Sequence, residues 1–171
     1  MKTLMQGVLG VAVATGSAFA QPRQPPTELV ELARTTAGTW KCKGEMHDGA
    51  GGKVAVTATN KVKLELDKWW IASTLEVKGP VAMKLLTYTT YDTSAKKWRR
   101  VSFDNLGGQM VGTADAQGAT FNLDMIGPLG GGQFRDHTDP FDPRTGLHVW
   151  GEMSRDKGKS WTKVYDMTCK K

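Results

Sequence analysis

The sequence contains few of the residues from which most catalytic and metal sites are built. It has three histidines and two cysteines among 171 residues. No two histidines have the spacing of a local metal pair, and the cysteines form no cluster. There is no Gly-x-Ser-x-Gly nucleophile elbow, and the glycine-rich stretch at 127–132 lacks the Lys-Ser/Thr of a phosphate-binding loop. We therefore predict no metal site and no enzyme activity that a local motif can identify.

Long apolar runs are also scarce, and the one run present lies at the N-terminus. Lys2 precedes apolar residues at 8–13, and Ala-Phe-Ala at 18–20 fits the small-x-small cleavage pattern. We expect residues 1–20 to be a signal peptide and the protein to be periplasmic or secreted. The run is too short to cross a bilayer comfortably, so no membrane span is expected.

The excess of charge of one sign is small, with 23 Lys and Arg against 17 Asp and Glu. A nucleic-acid interface would require a basic stripe with aromatic residues, so we expect no nucleic-acid partner. Residues 21–26 (QPRQPP) are predicted to form a Pro-rich extended leader. The length of 27–171 suits a single domain. Nothing in the sequence specifies an oligomeric state.

Hydrophobic periodicity predicts one short helix followed by strands. Thr27 is the predicted N-cap of a helix that runs to Arg34. From Gly38 the period changes to two. The stretch Val54–Leu66 alternates apolar and polar residues except at Asn60, which is typical of one long strand or of two strands with a bend.

Further runs of the same period are separated by short turn signals, which favours an antiparallel meander of about ten strands. No alternation of strands with longer helices is present, and this disfavours a parallel sheet. The predicted strands are Thr39–Met46, Val54–Leu66, Trp69–Val77, Lys84–Tyr91, Lys97–Asp104, Gln109–Ala114, Ala119–Ile126, Gln133–His137, Leu147–Met153 and Trp161–Cys169.

The two cysteines lie in the first and the last predicted strand. Cys42 and Cys169 have the parity of the apolar face in their strands. Closure of an antiparallel barrel makes those strands neighbours, and an exported protein can keep a disulfide. We therefore predict a Cys42–Cys169 disulfide, with two buried free thiols as the alternative.

A local motif precedes the last strand. Ser154, Asp156, Gly158 and Trp161 match the Asp-box pattern Ser-x-Asp-x-Gly-x-Ser/Thr-Trp, which is found in sialidase-like propellers. The chain is too short for several blades, so we expect a structural hairpin turn with the Trp packed beneath it and no glycosidase chemistry.

The remaining polar candidates are three histidines and an acidic run. His47, His137 and His148 are expected at the surface or in a satisfied core. The acidic run at 136, 139 and 142 lacks EF-hand spacing, so we expect it to form turns. An enzymatic alternative places His137 or His148 as acid–base beside Asp136 or Asp139.

Several short motifs together resemble lipocalin-like (calycin-type) barrels. They are Gly38-Thr39-Trp40 after a short helix, Tyr91-Asp92, Lys97-Trp98 and a late Lys-Ser-Trp. The chain from about 28 to 171 is similar to an uncharacterised bacterial family of secreted lipocalin-like proteins. This resemblance implies an antiparallel up-and-down barrel of eight to ten strands around a cavity for a small hydrophobic molecule.

Related nitrobindin-type barrels bind haem through a histidine near the C-terminus. Here Gly44-Glu45-Met46-His47 departs from their glycine-rich continuation, and the last strand has no histidine. The prediction is therefore that the protein has no haem and no other cofactor.

The leading functional hypothesis is a barrel that binds a small apolar or amphipathic molecule. The alternatives are a non-catalytic envelope or protein-interaction module with a filled core, and a barrel-based enzyme. Inward parity predicts that the cavity lining draws on Asn60, Trp69, Ile71, Ser73, Leu75, Phe103, Phe121, Met125, Val149 and Met153.

Overall fold

The computed structural model describes residues 23–47, 52–80, 82–128 and 130–171. The predicted signal peptide and the first two residues of the predicted leader lie outside these ranges. No helix within them is long and apolar enough to cross a bilayer. The elements are α1 (Thr27–Thr36), β1 (Gly38–His47), β2 (Lys53–Glu65), β3 (Trp70–Lys78), β4 (Met83–Asp92), β5 (Lys97–Asp104), β6 (Gln109–Ala114), β7 (Thr120–Ile126), β8 (Gly132–Thr138), β9 (Leu147–Ser154) and β10 (Thr162–Lys170).

The strands form one closed antiparallel barrel. Each strand pairs with the next strand in the chain, and β10 returns to pair with β1. The predicted fold class, an up-and-down lipocalin-like barrel with a short N-terminal helix, is confirmed. β2 is a single strand through Asn60, because that residue keeps its place in the ladders with both β1 and β3.

The predicted helix is present, but its N-cap differs from the prediction. Pro26 occupies the N-cap position, makes no side-chain cap bond, and its carbonyl oxygen accepts the N–H groups of Leu29 and Val30 at 3.1 and 3.2 Å. Thr27 is instead the first helical residue. The helix buries Leu29 and Ala33 against one end of the barrel, since a helix this short needs a larger surface to pack on.

The buried side chains form two clusters inside the barrel. One lies under α1 and includes Tyr91, Trp98 and Phe121. The other surrounds the first and last strands and includes Trp40, Val77 and the two cysteines. The packing between these clusters is incomplete, and the space that remains is described below.

The barrel is joined at its seam by a disulfide. Cys42 and Cys169 are directly opposite each other in the β1–β10 ladder, and their sulfurs are bonded across a sequence separation of 127. The parity that placed both cysteines on the inner face of their strands is the feature that brings them together.

Candidate functional site

The barrel contains a cavity of about 450 Å³. This volume is within the range typical of small-molecule sites, roughly 300–1,000 Å³. Its wall is mostly aliphatic, aromatic and thioether side chains from many strands. They include Val62, Leu75, Leu85, Met110, Leu123, Phe134, Val149 and Met167.

The two ends of the cavity differ. At one end α1 contributes Leu32 and Thr36 to the wall. The opposite end reaches two loops, at residues 105–108 and at residues 127, 128 and 130, where Leu106 and Ile126 line the cavity yet are 49% and 64% exposed. These loops form an apolar mouth through which a molecule can enter.

Most of the predicted lining residues do face the cavity. They are Asn60, Ile71, Ser73, Leu75, Phe121, Met125 and Val149. The Asn60 side-chain oxygen accepts the Ser73 hydroxyl at 2.6 Å, so these two polar groups satisfy each other on the wall. Their role in binding a ligand stays a prediction.

Trp69, Phe103 and Met153 do not line the cavity, and the prediction is corrected there. Trp69 lies in the turn between β2 and β3, where its carbonyl oxygen accepts the Thr90 hydroxyl at 2.8 Å. Phe103 is 44% exposed on the outer face of the barrel. Met153 packs against the cluster under α1.

Because Phe103 points outward, the alternate residues of β5 form its inner face. The prediction of an inward Phe103 had placed those residues outside. Trp98, Arg100, Ser102 and Asp104 alternate along this strand with residues that are exposed or, at Val101, half-buried. Trp98 is buried, and the three polar residues line the cavity. A strand that points a guanidinium and a carboxylate inward departs from the usual rule that charges face water.

The Arg100 guanidinium forms an ion pair inside the barrel. Its Nη1 donates to a carboxylate oxygen of Asp136 on β8, and its Nε donates to the Thr89 hydroxyl at 3.3 Å. The guanidinium carbon lies 3.5 Å from the centroid of the Phe121 ring, which supports it by a cation–π contact. The position of Asp136 in a strand corrects the prediction that it forms a turn.

Tyr165 completes this group. Its hydroxyl donates to the other carboxylate oxygen of Asp136. Burial, together with the adjacent Asp136 carboxylate, raises the pKa of Tyr165 well above its ordinary value. Tyr165 is therefore an uncharged donor at neutral pH, and the carboxylate of Asp136 has a donor on each oxygen.

A glycine makes this arrangement possible. Gly151 on β9 is the direct partner of Asp136 on one side and of Tyr165 on the other. A Cβ at this position would lie 2.3 Å from Tyr165 Cε1 and 2.6 Å from Phe134 Cζ. Because Gly151 has no side chain, the Tyr165 ring can lie over it and reach the Asp136 carboxylate.

Sequence reasoning missed the group formed by Arg100, Asp136 and Tyr165 because it assigned inward positions by hydrophobicity. In β5 the other face, with Val101 and Phe103, is the more apolar of the two. Trp98 could have shown which face of β5 is inside, because a tryptophan is highly buried on average. Arg100 has the same parity as Trp98 and therefore points inward.

The histidines with polar partners lie outside the cavity. His148 donates from Nδ1 to Asp139 at 2.6 Å and from Nε2 to Asp166 at 2.7 Å. Its hydrogen bonds to Asp139 and then to Asp166 raise its pKa above the ordinary 6.5. His137 contacts the Thr120 hydroxyl at 3.0 Å and stacks on the Trp150 ring at 3.7 Å.

The structure brings together one pair of the enzymatic alternative, His148 with Asp139, and this pair lies outside the cavity. His137 and Asp136 are adjacent in β8, so their side chains point to opposite faces, and Asp136 lines the cavity. Within the described ranges, no group of three His, Cys, Asp or Glu side chains could hold a metal ion.

The residues of the predicted hairpin motif form a hydrogen-bonded turn. Ser154 donates to Asp156 at 2.7 Å and accepts the Gly158 N–H at 2.8 Å, and Trp161 donates to the Gly158 carbonyl at 3.2 Å. The Asp156 carboxylate also accepts the side chain and the backbone N–H of Ser160 at 2.6 and 2.9 Å. These hydrogen bonds lower the pKa of Asp156 to about 2.

Comparisons with known proteins support the fold and leave the family open. No family model matches the chain, and no curated protein matches it. Among solved structures, the S-type phycobiliprotein lyase CPES from Guillardia theta is similar with a TM-score of 0.52 and 12% sequence identity. The similarity covers 86% of this chain and 97% of that chain. At this identity it shows a shared lipocalin-like barrel fold and no more.

Proposed function

We propose that the protein is an exported carrier that binds a small apolar or amphipathic molecule inside its barrel. The observation that carries the proposal is the cavity of about 450 Å³ with its apolar wall and exposed apolar mouth. An aliphatic and aromatic wall with a few polar groups is the usual composition of a small-molecule site.

The size of the cavity argues against a module with a filled core. If a packed core were emptied by the 450 Å³ of this cavity, the loss of contacts would cost on the order of 10 kcal/mol. That is comparable with the whole stability of a typical domain. A protein with no ligand would gain stability by filling the space, so its persistence supports a bound molecule.

The composition of the wall favours binding over catalysis. Among the lining residues that the structure describes, there is no histidine, no lysine and no free thiol. The similar structure from Guillardia theta is named as a lyase, but the likeness at 12% identity extends only to the fold. A bilin offered to the protein should therefore bind, if at all, without being transferred to an acceptor protein.

The disulfide supports the export part of the proposal, because such bonds persist in oxidising compartments. Cleavage of residues 1–20 remains a prediction. Intact mass of the exported protein should correspond to a chain that begins at residue 21. Retention of residues 1–20 on the exported protein would contradict it.

The binding proposal is tested with the neutral dye Nile red, whose emission rises in apolar surroundings. Saturable binding with micromolar affinity is expected, which corresponds to about 8 kcal/mol. Leu75→Trp fills the cavity and should weaken binding at least tenfold, because Leu75 is on its wall. Leu86→Trp is the matched control, since Leu86 is 38% exposed on the outer face of the next strand.

The outcome of that comparison separates the two non-catalytic hypotheses. Equal weakening by both substitutions would point to dye on the barrel exterior. No saturable binding to the unmodified protein would reject the carrier and favour the module with a filled core.

A further inference from the structure

The charges on the cavity wall restrict the ligands that fit. The charged lining residues are Arg100, Asp104 and Asp136. Asp104 lies near the mouth, where its Oδ1 accepts the backbone N–H groups of Leu106 and Gly108, each at 2.8 Å. Arg100 is therefore the one cation among these residues, and it is already paired with Asp136.

The pairing leaves part of Arg100 able to bind a ligand. Its hydrogen bonds use Nε and Nη1, and no acceptor within the described ranges receives a hydrogen bond from Nη2. The side chains of Arg100 and Asp136 keep 18% and 21% of their surface accessible, and both residues line the cavity. The unused N–H groups of Arg100 face the cavity, so a ligand bound there should supply an acceptor atom for them.

A charged end group is a poor source of that acceptor. A ligand carboxylate would add a second anion next to Asp136 and would share one guanidinium with it, in an interior where like charges repel strongly. A ligand ammonium would lie beside the guanidinium and would find both Asp136 oxygens occupied by Arg100 and Tyr165. A hydroxyl or carbonyl oxygen accepts a hydrogen bond and leaves the ion pair balanced.

We propose that the natural ligand is an uncharged amphipath, with an apolar body in the barrel and one hydroxyl or carbonyl group that accepts a hydrogen bond from Arg100. This inference rests on the proposed carrier function. The ion pair, the tyrosine and Gly151 hold the guanidinium in place, and the aliphatic wall between Arg100 and the mouth receives the body of the ligand.

The test is displacement of Nile red at pH 7 by chains of equal length with different ends. The probes are dodecan-1-ol, dodecan-2-one, dodecanoate, dodecylammonium and dodecane. We expect the alcohol and the ketone to displace the dye at concentrations at least tenfold lower than the two ions require. Displacement by either ion at the same concentration as the alcohol would overturn the inference.

An isosteric substitution at Asp136 should shift the ligand preference from the alcohol towards the carboxylate. Asp136→Asn removes the carboxylate and leaves the guanidinium without a counter-charge, so dodecanoate should gain at least tenfold relative to dodecan-1-ol. Asp124→Asn is the matched control, because it makes the same change of charge at an exposed outward position on β7. An unchanged dodecanoate preference in Asp136→Asn would also contradict the inference.

A second variant keeps the test valid if Asp136→Asn fails to fold. The triple substitution Arg100→Met, Asp136→Leu and Tyr165→Phe replaces the ion pair and the hydroxyl that donates to it by apolar side chains, and replacing a buried pair in this way is often neutral for stability. In the unmodified protein the Arg100 hydrogen bond should make dodecan-1-ol displace the dye at a lower concentration than dodecane. In this variant the difference should vanish, and a retained difference would refute the role of Arg100. Failure of Nile red and dodecane to bind the unmodified protein would instead reject the carrier function, so the two failures are distinguishable.

Discussion

At the scale of single residues, Gly151 is the position on which the interior polar group depends. Gly151→Ala places a methyl group within 2.3 Å of Tyr165 Cε1 and 2.6 Å of Phe134 Cζ. Overpacking of this kind typically costs about 1–3 kcal/mol. We expect the free energy of unfolding, measured by urea denaturation, to fall by that amount.

A double-mutant cycle checks the cause of that loss. In a Tyr165→Ala background one of the two contacts is absent, so the same methyl group should cost less. An equal cost in both backgrounds would show that the ring of Tyr165 is not what the methyl group meets.

His148 is expected to make stability depend on pH. Its hydrogen bonds to Asp139 and Asp166 raise its pKa above 6.5 in the folded state. The stability that its protonated form contributes is therefore complete below pH 6.5 and is lost as the pH rises through the folded-state pKa. The neighbouring Lys163 also pairs with Asp166, at 2.7 Å.

NMR of the histidine Cε1 protons measures this directly. The His148 resonance should titrate above pH 6.5, and His148→Gln should remove the corresponding fall in the free energy of unfolding. A His148 midpoint at or below 6.5 would contradict the assignment, as would an unchanged pH dependence in the variant.

At the scale of elements, strand positions followed from the sequence far better than the orientation of one strand did. The period of two and the turn residues predicted β5 and β6 with their observed bounds. Alternation alone does not show which face of a strand is inside. Choosing the more apolar face as the inner one was correct for β2 and wrong for β5. It failed there because Phe103 is exposed while Arg100 is stabilised inside by a partner 36 residues away in the chain.

Turn chemistry explains the smaller differences. The prediction extended the third strand to Trp69, but Leu66, Asp67 and Lys68 have positive φ values of 49°, 54° and 68°. Three successive residues in this conformation reverse the chain before Trp70, and none of them is a glycine that would have signalled it. The predicted strands left only residues 67–68 between them, so the turn was placed correctly but made one residue too short at each end.

The disulfide between β1 and β10 should contribute to the stability of the barrel without being needed for its closure. The Cys42–Cys169 disulfide closes a long loop of the unfolded chain, so Cys42→Ala with Cys169→Ala should lower the free energy of unfolding by about 2–4 kcal/mol. The barrel should remain closed, since the two strands stay paired from Lys41 to Met46.

Two measurements check the seam. Urea denaturation gives the loss of stability, and far-UV circular dichroism reports whether the strands persist. A variant as stable as the unmodified protein would contradict the stabilising role, and loss of the β-sheet signal would show that the disulfide is needed for closure.

At the scale of the whole molecule, the barrel separates two kinds of polar chemistry. The outer face of β8 and β9 carries His137 and His148, whose partners include Thr120 on β7 and Asp139 in the loop after β8. Among the residues that the structure describes, the inside carries one balanced ion pair in a mostly apolar wall that opens at residues 105–108 and at residues 127, 128 and 130. This arrangement suits an uncharged molecule that enters tail-last from the mouth, with its polar end towards Arg100.

The most direct measurement is a crystal structure of the protein with 12-bromododecan-1-ol, whose bromine is located by its anomalous signal. The account predicts density along the barrel interior, with the hydroxyl within hydrogen-bond distance of the Arg100 guanidinium and the bromine near Leu106 and Ile126 at the mouth. An interior filled by repacked side chains, or a ligand bound only to the outer surface, would contradict the central claim that this barrel is built to hold a small molecule.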